Sequence, residues 1–78
     1  MEQKVKQDNN INIGANIRAV RLAAGIGQTQ LANMLQVKNI TMTRESLVKI
    51  ERGTQHITGS QLRGIRDCLN TTYEELLK

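Results

Sequence analysis

The chain has 78 residues, room for one domain with a single small core and none for a second. Its 11 Lys and Arg against 7 Asp and Glu leave a net charge of +4, which draws it to polyanions without choosing among DNA, RNA and an anionic membrane surface. With no Pro, Trp or Phe and a single Tyr, the core must come from Leu, Ile, Val and Ala, and the aromatic platforms that bind single-stranded nucleic acid are missing.

Residues 1–10 are polar and, apart from Val5, offer nothing to bury, so they are expected to form a flexible tail ahead of a domain over 11–78. They hold no apolar run for a signal peptide or a membrane span. Lys4 and Lys6 serve either solubility or a flexible arm that touches phosphates.

Five helices are expected after the tail. The first runs from about Asn12 to Ala24, with Ile13, Ile17, Val20 and Ala24 making one apolar stripe, and Gly25 ends it. The second starts near Gln28 and carries Leu31, Ala32 and Leu35 on one face. The third has Thr43 as N-cap and Gly53 as stop. Its apolar face is Leu47 and Ile50, and its polar face Arg44, Glu45, Val48, Lys49 and Arg52. Thr58 with Gln61 forms a capping box for the fourth, whose stripe is Leu62, Ile65 and Leu69. Thr72 with Glu75 forms another for a short last helix ending in Leu76 and Leu77. The fold class is all-α.

The third helix carries the chemistry. A guanidinium at its start, on Arg44, can reach into a groove, and the parallel donors of arginine fit the O6 and N7 acceptors of guanine. A small helical protein offering such a helix is expected to read double-stranded DNA. An enzyme fails on inventory. One histidine, His56, one cysteine, Cys68, and no clustered acids give neither a nucleophile–base pair nor a metal set, and there is no glycine-rich phosphate loop. No metal, cofactor or small-molecule pocket is expected in so small a bundle. Cys68 cannot form an internal disulfide, which fits a reducing cytoplasm, and beside the fourth helix's stripe it reads as a small hydrophobe rather than a redox sensor.

From Ile13 to Leu77 the chain resembles the helix-turn-helix family of phage-repressor and Cro type, also called the XRE family. The residues that carry the resemblance are Ile17-Arg18 and Arg21, then Gln28, Leu31-Ala32 and Leu35, then Ile50-Glu51-Arg52-Gly53. Leu62, Ile65, Leu69 and Tyr73-Glu74-Glu75-Leu76-Leu77 complete it. The resemblance implies a compact five-helix bundle whose second and third helices form the DNA-reading unit. It also implies a transcriptional regulator, usually a homodimer on a palindromic operator and more often a repressor. One departure stands out: the turn between those two helices is longer by Val37-Lys38-Asn39-Ile40-Thr41, which bears on the angle between them.

By this resemblance Thr43, Arg44, Glu45 and Lys49 occupy base-facing positions, Gln28 and Arg52 phosphate-binding ones, and Arg21 with Glu51 a structural ion pair. An anion at Gln28 also follows from the open N–H groups of a helix start. Lys38 is a further candidate phosphate contact, as is Gln55, in a loop with Thr54 and His56 expected to run beside the backbone. Glu45 either accepts from cytosine N4 or pairs with Lys49 four residues on. Leu76 and Leu77 either finish the core or form a dimer seam, the family favouring the seam. A competing reading is a protein-interaction module of the same fold, such as an antitoxin or a regulator's inhibitor. Its mark would be a DNA face depleted of basic residues, and Arg44, Lys49 and Arg52 speak against it.

Overall fold

In a computed structural model, described over Lys4–Val5 and residues 12–78, each helix start but one is closed by a side chain that takes up an open N–H group. α1 (Ile13–Ala23) opens at Asn12, whose Oδ1 accepts from the Ala15 N–H at 3.1 Å. α3 (Arg44–Arg52) opens at Thr43, whose Oγ1 accepts from the Ser46 N–H at 3.1 Å. α4 (Gly59–Cys68) has the full capping box: Thr58 Oγ1 accepts from the Gln61 N–H at 3.2 Å, and Gln61 Oε1 from the Thr58 N–H at 3.0 Å. In α5 (Tyr73–Leu77) the expected box is only half made. Thr72 Oγ1 accepts from the Glu75 N–H, but the Glu75 carboxylate turns to Lys78 Nζ at 3.1 Å, where an opposite charge holds it. α2 (Gln28–Val37) is the exception, starting at Gly27 without a side-chain cap.

The first four helices end alike. One residue in each exit turns left-handed, with φ of 71° at Gly25, 61° at Asn39, 82° at Gly53 and 53° at Asn70. The following N–H then reaches back to the last turn: Ile26 to the Arg21 carbonyl, Ile40 to Leu35, Thr54 to Lys49 and Thr71 to Arg66, at 2.9 to 3.1 Å. Glycine lacks the Cβ that strains this conformation, and asparagine tolerates it best among the rest.

α1 packs on α3 and α5, and α2 on α3 and α4, around a core of leucine and isoleucine. Valine contributes less than composition implies: Val20 is half-buried and Val37 is 85% exposed, whereas Met42 is buried. Along α1 the inner line is Ile13, Ile17 and Arg21, at four-residue spacing. Ala24 leaves the expected stripe because it already belongs to the helix exit. Gly14 lets α1 approach α3 closely, since a Cβ there would collide with the Ile50 carbonyl oxygen.

The long turn between α2 and α3 is pinned rather than loose. Asn39 closes α2, Ile40 packs half-buried on the core against Leu35 and over Gly64, and Met42 is buried. Gln61 Nε2 donates to the Thr41 carbonyl at 3.2 Å, so the same side chain that caps α4 holds the turn. At the other end of the bundle, Asn16 Nδ2 donates to the carbonyls of Leu76 and Lys78, both at 2.9 Å, and ties the end of α5 to α1.

One short pairing interrupts the helices. β1 (Lys4–Val5) lies antiparallel to β2 (Ile57–Thr58), with Lys4 opposite Thr58 and Val5 opposite Ile57. The flexible tail expected over 1–10 otherwise lies outside the described residues. The Ile57 side chain enters the core, and Thr58 passes directly into the cap of α4. The fold is otherwise all-α: five helices forming a helix-turn-helix bundle. Among the described residues no helix is long and apolar enough to cross a membrane.

Candidate nucleic-acid interface

α3 divides cleanly. Leu47, Ile50 and Glu51 are buried, whereas Arg44, Glu45, Lys49 and Arg52 are exposed. Four-residue spacing places Arg44, Val48 and Arg52 on one line and Glu45 and Lys49 on the next. Glu45 in the first turn and Lys49 and Arg52 in the last both agree in sign with the helix dipole. Among the described residues no ion pair joins Glu45 to Lys49, so both charged ends face solvent. Thr43 is exposed too, but its hydroxyl is largely committed. It accepts from the Ser46 N–H and donates to Ser46 Oγ at 3.1 Å, which leaves one lone pair for an outside donor.

The Arg44–Val48–Arg52 line borders a groove whose other walls are Arg18 of α1, Gln28 at the start of α2, and Glu51. Arg18, Arg44 and Arg52 have no intramolecular partner among the described residues. The one carboxylate in the groove, Glu51, is already neutralised from beneath: Arg21 Nε and Nη2 donate to its two oxygens at 2.7 and 2.9 Å. Three uncompensated guanidiniums therefore surround the groove, a field that attracts a polyanion. The uncapped N–H groups of α2 open beside Gln28, at the positive end of that helix dipole.

Arg21 is 5% exposed and Glu51 8%, so the pair sits inside the fold at the junction of α1, α2 and α3. Arg21 Nη1 also donates to the Ile26 carbonyl at 2.9 Å, and Gln28 Nε2 to Glu51 Oε1 at 3.1 Å. The hydrogen bond to Glu51 raises the arginine pKa above its ordinary value; burial opposes this and attraction to the carboxylate adds to it.

The remaining candidates lie apart from this groove. Lys38 follows the last residue of α2, about 15 Å along the helix from Gln28 at 1.5 Å per residue, and lines a separate cleft with Thr58, Ser60 and Arg63. Gln55 is half-buried in the loop after α3, where His56 is exposed. Leu76 is fully buried in the chain's own core and Leu77 half-buried against it, so the pair does not present a free apolar face. Leu76 takes the core role left open in the sequence, because Asn16 holds the end of α5 against α1.

Arg18 also lines the groove, although in the sequence it carried only the family resemblance and no role in the site. It lies three residues before Arg21, one turn back on the same helix, and that spacing was the available signal. The bond from Gln28 to Glu51 had none, since 23 residues separate them.

A helix presented by a pinned turn, carrying exposed Arg, Glu and Lys beside a ring of unpaired guanidiniums, defines a helix-turn-helix DNA-binding domain. The chain matches the helix-turn-helix family over residues 17–76 and belongs to it, in its XRE branch of transcriptional regulators. Neither a curated protein nor a solved structure matches the chain.

Proposed function

We propose that the chain is a cytoplasmic, sequence-specific regulator that binds a palindromic operator as a homodimer and represses by occupying a promoter. The observation that carries this reading is the exposed row of α3, in which Arg44, Glu45 and Lys49 have no partner within the described residues. Those three, with a minor part for Thr43, read base edges in the major groove, while Gln28 and Arg52 fix the register on phosphates. Arg18 joins them as a third phosphate contact, on the strength of its place in the same groove. Lys38 and Gln55, set apart from that groove, serve as outlying backbone contacts. The dimer seam is assigned to the C-terminal end, where Leu77 is half-buried and Tyr73 is 37% exposed; Leu76, being core, stays out of it.

Selection of bound duplexes from a random pool at near-physiological salt tests the proposal. An enriched palindrome with half-site centres about 10 base pairs apart is the expected result. Retention without a consensus would reduce the activity to backbone attraction, and no retention would favour the protein-interaction module.

A further inference from the structure

The hydrogen bonds beneath the groove reach from the core to the DNA face. The Glu51 carboxylate receives three donors: Arg21 Nε at 2.7 Å, Arg21 Nη2 at 2.9 Å and Gln28 Nε2 at 3.1 Å. Bidentate Arg–carboxylate pairs are geometrically stiff, and this one is anchored further through Arg21 Nη1 on the Ile26 carbonyl. Gln28 itself is half-buried at the lip of the groove, between the guanidinium-bearing walls of α1 and α3. An amide nitrogen carries two protons. One lies on Glu51, and the other remains for an acceptor outside the protein.

We infer that Glu51 is a positioning residue for a phosphate contact made by Gln28. The buried pair holds the carboxamide in place before DNA arrives, so the contact forms without the rotamer ordering a free glutamine requires. The same carboxylate that joins α1 to α3 thus aims a donor of α2, which links correct docking of the three helices to backbone binding. The inference rests on the DNA-binding function proposed above.

A double-mutant cycle tests it. Duplex affinity is measured for the wild type, Gln28→Ala, Glu51→Gln and the double variant, at a temperature where circular dichroism shows each to be folded. Gln28→Ala is expected to weaken binding about tenfold, on matched and mismatched duplexes alike, as loss of a phosphate contact should. Glu51→Gln is expected to lose nearly as much, and the double variant to fall within about twofold of Gln28→Ala alone. Losses that multiply would overturn the positioning role. Because Glu51→Gln leaves Arg21 half-partnered and can fail to fold, the Gln28 side-chain amide is also followed by ¹⁵N relaxation in the free wild type. Order close to that of the backbone supports the inference, and mobility equal to that of exposed Gln30 or Gln36 overturns it. A wild type that binds no duplex overturns the DNA function and the phosphate role with it; a wild type that binds, with a mobile Gln28, overturns the inference alone.

Discussion

Arg21 is a guanidinium only 5% exposed, and an unpaired charge at that depth costs several kcal/mol. Its three nitrogens all find acceptors, two on Glu51 and one on Ile26, which is why the site is tolerated. The pair need not add much net stability, but losing one partner strands the other. Glu51→Ala is therefore expected to destabilise the fold by about 3–5 kcal/mol and to lower the melting temperature by more than about 10 °C. A melting curve that hardly moves would mean the pair is hydrated in solution. For Arg21 itself the raised pKa gives the sign: the folded state binds the guanidinium proton more tightly, so that proton's contribution is present below the ordinary arginine value and is lost at higher pH. Cys68 gives a second test at this scale. Burial raises its thiol pKa, Lys38 opposing and Asp67 adding, so the folded protein holds the thiol proton more tightly than the unfolded chain does. Alkylation at pH 8 is expected to be slower in the folded protein than in urea, and equal rates would contradict the burial.

At the scale of elements, the helix starts at Thr43 and Thr58 were legible because capping residues act over three positions of sequence, and the start near Asn12 because an apolar stripe follows it. The exits at Gly25 and Gly53 were legible for the same local reason. The turn between α2 and α3 was not: Val37, expected in it, is the last residue of α2, and over 38–43 Ile40 and Met42 follow no helical period and become core only through tertiary packing. Likewise the half-made box at Thr72 depends on Lys78 competing for Glu75, and the Gln28–Glu51 bond on the packing of three helices. The pinned turn makes a prediction of its own. Gly64→Ala adds a Cβ that collides with Ile40 Cδ1 and lies 2.9 Å from Leu35 Cδ2. Overpacking costs about 1–3 kcal/mol against about 1 kcal/mol gained in helix propensity, so a net loss near 1 kcal/mol is expected. A thermal melt unchanged or raised in that variant would show that Ile40 does not need the space.

Across the whole molecule, charge is unevenly spread. On or beside the α3 surface Arg18, Arg44, Lys49 and Arg52 outnumber Glu45, whereas on α4 and α5 Arg63 and Arg66 are offset by Asp67, Glu74 and Glu75. A net charge of +4 is modest, but this distribution places most of the attraction where the exposed helix stands. Attraction alone gives binding without specificity, so the function proposed for this chain turns on base reading by α3. Its most direct test repeats the duplex selection with wild type and Arg44→Ala side by side. The variant is expected to fold normally and keep the palindrome but to lose preference at one position per half-site, worth about 1–3 kcal/mol. The same consensus, position for position, from both proteins would contradict it.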